Sequence, residues 1–185
     1  MIYDLPINVK IDGKEYKIRN NCDYRVVLDC IEALNDSDFT IYEALICAEN
    51  IFYEEPESIE NIYEAIKQML IIINNGETEA AEEEQSKPIV MNWQKDFKII
   101  APAISRVLGY DIRTQDKFTH WYTFIGAYQE IGECLFANVV SIRNKLAKGK
   151  KLEKYEQEFY RENKKMVDLP QNLTKEEQEW LDSDW

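Results

Sequence analysis

NWQKDFKIIAPAISRVLGYDIRTQDKFTHWYTFIGAYQEIGECLFANVVSIRNK, residues 92–145, decides how this chain folds. Asn92 has the short polar side chain of a helix cap, and Phe97, Ile100, Ile104, Val107 and Leu108 follow at a spacing that gathers them on one helix face. Gly109 closes that helix. Pro102 inside it predicts a kink or a split, because proline has no amide hydrogen and its ring crowds the preceding turn. Trp121, Phe124, Ile125 and Tyr128 mark a second helix, and Leu135, Val139, Ile142 and Leu146 a third that ends near Gly149. The block holds Trp93 and Trp121, two of the four tryptophans, and the single histidine, His120. It reads as packed helices.

Upstream, the β signal is confined to the first twenty residues. Ile7, Val9 and Ile11 alternate with Asn8 and Lys10, Asp12-Gly13 supplies a positive-φ turn, and Tyr16 and Ile18 alternate on the return. A lone hairpin is marginal in water, so this one is expected to pack on helices. Three helical stripes follow. Val27, Cys30, Ile31 and Leu34 form the first. Ile41, Leu45, Ala48 and Phe52 form the second, after an Asp38/Thr40 start signal and before Pro56. Ile59, Ile62, Ile66, Met69, Leu70 and Ile73 form the third, with Ser58 as its expected cap and Asn74-Asn75-Gly76 as its end. Residues 77–88 carry five glutamates and no apolar face. The expected organisation is therefore a hairpin with three helices over 1–76, an acidic linker over 77–91, and a helical part over 92–185. The last begins with the proline-interrupted helix and ends in charged helices. Leu152, Tyr155 and Phe159 mark one of these, and the Thr174–Glu177 capping box starts a short terminal one with Trp180. The fold class is mainly α, with a small N-terminal β-hairpin.

At 185 residues and 45% apolar content the chain can bury a real core, and six glycines with five prolines favour long regular elements. Its net charge of −13 is unevenly spread. Residues 26–66 hold eleven acids and no Lys or Arg, whereas residues 143–165 hold nine basic residues against four acidic ones. Such asymmetry steers partners or maintains solubility, and solvated helix faces are its plainer explanation. The acidic balance disfavours nucleic-acid binding. Cys22, Cys30, Cys47 and Cys134 form no CxxC pair. The N-terminus lacks the pattern of a secretion signal, and no run approaches the roughly 18 apolar residues of a membrane span. A cytosolic protein with reduced thiols is expected, with no membrane association.

Little in the residues points to catalysis. One histidine and four scattered cysteines do not make a metal site, no phosphate-binding glycine loop is present, and His120 reads first as a packed or capping residue. Trp121 and Phe124 read first as core.

Several motifs together carry a resemblance: VKIDGKEYKI at Val9–Ile18; Asp23-Tyr24-Arg25; Trp93 with Asp96 and Phe97; Gly109-Tyr110-Asp111-Ile112; His120-Trp121-Tyr122-Thr123-Phe124; Ile142-Arg143; and Leu169-Pro170 before a Glu-rich end. In this order they resemble a family of small tail-assembly proteins of long-tailed phages and prophages of Gram-positive bacteria. The chain departs from that pattern in the order of Gly109 and Tyr110 and in Tyr122, which stands where a second tryptophan is usual. The resemblance implies a non-enzymatic chaperone without cofactor or metal, in the cytoplasm of the bacterial host. Its partner would be the tape measure protein, with the major tail protein as a second candidate, and a homo-oligomer is compatible with it. A minor tail component retained in the virion, and an enzyme or nucleic-acid-processing factor, are the alternatives. The implied motif and interaction residues are Trp93, Asp96, Gly109, Asp111, His120, Trp121, Phe124 and Arg143, with Asp96 and Arg143 expected to pair.

Overall fold

The computed structural model describes residues 4–77 and 88–169. The Thr174–Glu177 capping box, Trp180, Pro170 and most of the acidic segment lie outside them. The protein is mainly helical with a two-stranded antiparallel hairpin at its N-terminal end, as the periodicity predicts. Strands β1 (Asn8–Ile11) and β2 (Lys14–Lys17) pair Val9 with Tyr16 and Ile11 with Lys14. Asp12 and Gly13 between them both take positive φ, at 47° and 87°, the conformation of the two-residue turn that matches strand twist. Val9 and Ile11 are buried and β1 packs on α3, so the hairpin is held by helices.

Eight helices follow among the described residues: α1 (Tyr24–Leu34), α2 (Ile41–Phe52), α3 (Ile62–Ile73), α4 (Trp93–Leu108), α5 (Trp121–Gln129), α6 (Leu135–Ala147), α7 (Lys154–Glu162) and α8 (Lys164–Val167). Local chemistry sets their starts. Thr40 and Glu43 close a reciprocal capping box on α2, and the Asn92 side chain accepts the Lys95 amide at 2.8 Å at the start of α4. Helix α3 is capped by Asn61 rather than Ser58, which lies in a preceding 3₁₀ turn, and Ile59 is buried ahead of the helix. Asn75 and Gly76 end α3 with positive φ.

Helix α1 packs on α2, α4 and α5, and α4 packs in turn on α5 and α6. One apolar cluster runs from Val9 and Ile18 through Val27, Phe52 and Met69 to Ile100, Ile104, Trp121 and Phe124, so residues on both sides of 78–87 share it. A smaller one joins Val139, Ile142, Leu152 and Val167.

Pro102 does not split its helix: α4 runs unbroken over sixteen residues. The ring lies on the exposed side, where water can satisfy the carbonyl that loses its partner. Five apolar stripes are shifted from expectation. Ile41, Ile62, Val107, Leu135, Leu146 and Tyr155 are exposed, and Ala44, Ala65, Ala103 and Phe136 are buried in their elements instead.

Candidate functional site

Asp23 is where the sequence motifs converge. Its carboxylate caps α1 by accepting the Arg25 amide at 3.0 Å, and it also accepts the Thr119 amide at 3.2 Å. The main chain on either side joins two distant stretches, with Tyr24 N–H donating to Thr119 O at 2.9 Å and Trp121 N–H to Cys22 O at 2.8 Å. Arg25 then turns over the loop after α4. Its guanidinium donates to the carbonyls of Ile112 at 2.8 Å, Thr114 at 3.0 Å and Lys117 at 3.2 Å. The Tyr24 hydroxyl reaches the Ile112 carbonyl at 2.9 Å, and its ring stacks on Phe124 with centroids 4.5 Å apart and planes 1° from parallel. The twelve-residue loop between α4 and α5 is thus tied down by three consecutive side chains.

His120 caps α5 within the same junction. Its Nδ1 accepts the Tyr122 amide at 3.1 Å, which leaves Nε2–H to donate to the Pro6 carbonyl at 2.9 Å. Those two bonds require the neutral ring. Burial pushes the His120 pKa below its ordinary value, against the Pro6 bond and the Asp23 charge. The ring is therefore occupied in anchoring the N-terminal arm to α5. Trp121 extends the anchor by donating its indole N–H to the Ile73 carbonyl at 3.0 Å, at the end of α3. Trp93 completes the aromatic group, 5.7 Å from Phe124 and 5.1 Å from Tyr128.

A second junction is ionic. Asp96 is 1% and Arg143 is 6% exposed, and they meet in two bonds of 2.6 and 2.9 Å. Arg143 also donates to the carbonyls of Val90 at 3.0 Å, Met166 at 2.9 Å and Val167 at 2.5 Å. Asp96 accepts the Asn92 amide at 3.0 Å. One guanidinium thus holds the approach to α4 and the end of α8 against α6, with every donor group engaged by an acceptor. This is the condition under which a buried charge is tolerated.

The expected residues therefore fall into three places. Trp93, His120, Trp121 and Phe124 form the aromatic junction, and Asp96 and Arg143 the ionic one. Gly109 and Asp111 lie in the loop, where Gly109 ends α4 at φ 78° and Asp111 pairs with Arg113 at 2.6 Å. That guanidinium holds the Asp111 carboxyl down at about 2. Arg25, Thr119 and Ile112 were not among the expected site residues. An Asp two positions ahead of an Arg at a helix start was the available signal. Burial raises the thiols of Cys22 and Cys30, Cys22 to about 12, so both stay protonated and unreactive. Among the described residues no group of three His, Cys, Asp or Glu side chains converges to hold a metal ion.

Residues 1–169 match the family described as Bacteriophage Gp15 protein. The chain belongs to that family. It is a phage protein, and the match takes in both junctions and the hairpin. No curated protein and no solved structure matches it. Among the described residues of this Gp15-family protein, no helix is long and apolar enough to cross a membrane.

Proposed function

We propose that this Gp15-family protein is a non-enzymatic tail-assembly chaperone. It binds the tape measure protein in the host cytoplasm and keeps its apolar helices from aggregating until tail-tube subunits polymerise around them. Phage family membership supports the setting. The observation that carries the reading is the set of large apolar side chains left outside both cores on helix faces. On the first turn of α3, Tyr63 is 80% exposed and Ile62 is exposed beside it, with Glu60 and Glu64 as charged neighbours. An amphipathic client helix can lay its apolar stripe on such a face, and a net charge of −13 keeps the pair in solution. The junctions at Asp23 and Arg143 serve as rigid supports, since their polar atoms are turned to backbone and to each other.

Co-expression with the tape measure protein of the same phage tests the proposal. The expected result is a soluble tape measure that co-purifies with this chain. A tape measure equally soluble when expressed alone sinks it. Mass spectrometry of finished virions separates a chaperone, absent from the particle, from a minor tail component retained in it.

A further inference from the structure

Two exposed corners of this protein mirror each other in charge. The first is the turn between α1 and α2. Phe39, Ile41 and Tyr42 are exposed there, Ile41 at 83% and Tyr42 at 70%, and their charged neighbours in the turn are the acids Asp36, Asp38 and Glu43. The second is the turn between α6 and α7. Leu146 and Tyr155 are exposed there, Tyr155 at 70%, among exposed Lys148, Lys150, Lys151 and Lys154, against the exposed acids Glu153 and, one turn along α7, Glu158. Each corner places uncovered apolar side chains, one or two of them tyrosines or phenylalanines, inside a frame of one net sign.

Neither corner's apolar residues belong to the core. Thr40 and Glu43 cap α2, but the bulky residues beside them, Ile41 and Tyr42, point to solvent, where they contribute nothing to that helix's burial. In the second corner Leu152 turns inward to the small cluster while Tyr155 stays outside it. Aromatic side chains ringed by charge are the composition of interface centres. An acidic frame rejects another acidic frame and accepts a basic one, and this chain supplies both.

We infer that the acidic α1–α2 corner of one copy docks on the basic α6–α7 corner of a second copy. Lysines of the second copy meet Asp36, Asp38 and Glu43, and Tyr155 and Leu146 meet Phe39, Ile41 and Tyr42. Unlike surfaces can be satisfied reciprocally in a two-fold pair or successively in a growing chain, and the mass in solution says which forms. This contact is independent of the client-binding reading, because the α3 face stays outside it.

Sedimentation of the full chain tests the inference. Concentration-dependent association is expected in about 50 mM salt, weakening roughly tenfold or more at about 500 mM as the Debye length contracts. Lys150→Glu with Lys151→Glu, and separately Asp36→Lys with Asp38→Lys, should each leave a monomer with the wild-type circular dichroism spectrum. Mixing the two reversed variants should restore association, since each then presents the corner the other lacks. Ile41→Ser with Tyr42→Ser gives a third reading that leaves every charge in place and should also weaken association. A wild type that stays monomeric at every concentration overturns the inference. So does a lysine-reversed variant that associates as well as wild type. Variants that lose tape measure binding while wild type remains monomeric would assign these corners to the client instead.

Discussion

Arg143 shows how much of the fold one side chain can hold. Its guanidinium satisfies Asp96 and three backbone carbonyls while almost wholly buried. Removing one partner of such a pair strands the other charge, at a cost of about 3–5 kcal/mol. Arg143→Met is expected to cost more than Asp96→Asn, because it also abandons Val90, Met166 and Val167. Asp96→Asn combined with Arg143→Met should cost clearly less than the two single losses added, and denaturant titration of the four proteins gives that coupling. Additive losses would mean that the pair is not energetically linked. His120 makes a different expectation. Folding lowers its pKa, so its contribution to stability is present above the ordinary value near 6.5 and drains away as pH falls through the folded value. The Asp23 charge and the Pro6 bond oppose the shift, and burial outweighs them. His120→Asn keeps a capping oxygen and removes the titration. Stability measured from about pH 7 down to pH 5 should therefore fall more steeply for wild type than for the variant. Glu49 is the reverse case, a buried carboxyl with one oxygen lacking a partner and a pKa raised by burial. Glu49→Gln is expected to stabilise the protein by about 1 kcal/mol at neutral pH. A loss on thermal melting would show that the carboxylate has a role the fold needs.

Elements followed the sequence where their signals were local. The Asp12-Gly13 turn, the Thr40–Glu43 box and the Asn92 cap were all legible, because each involves neighbours within four residues. Which residues of a stripe enter the core was less so. Ile41, Ile62 and Leu135 sit on the first turns of their helices and stay exposed, while the smaller Ala44 and Ala65, three residues on, and Phe136, the residue next to Leu135, take the contact. Periodicity gives the angle around a helix axis but not how far along it a neighbour reaches. Of the site, the Asp96–Arg143 pair could be anticipated because two of the motifs that carry the family resemblance each hold one of these opposite charges. The Arg25 clasp was legible only as far as its neighbour Asp23, since its acceptors across the loop are backbone carbonyls about ninety residues away and backbone carries no sequence signal. Arg25→Ala should therefore act locally. Hydrogen exchange is expected to quicken across residues 112–119, with a global loss of about 1–3 kcal/mol. Unchanged exchange in that loop would remove the clasp from the account.

At the scale of the molecule, charge and exposed apolar surface are arranged so that the interior is fully supported without help from outside. The main cluster spans the hairpin and α1 through α5, and the small one fastens α6 to α8, so Ile62 and Tyr63 on α3 are not needed by either. That separation makes the client reading testable without confusing binding with folding. Surface substitutions away from caps and ion pairs usually change stability by less than about 0.5 kcal/mol, so Ile62→Ser with Tyr63→Ser should melt close to wild type. If the α3 face carries the tape measure, the same double variant should leave most of the co-expressed tape measure in the insoluble fraction and reduce what co-purifies by about tenfold or more, the loss expected when aromatic and aliphatic anchors leave an interface. The lysine-reversed variant Lys150→Glu with Lys151→Glu, altered only on the α6–α7 corner, should still hold the tape measure in solution one-to-one even where self-association is gone. If the α3 variant solubilises the tape measure as well as wild type does, the exposed α3 turn has no part in the proposed client binding.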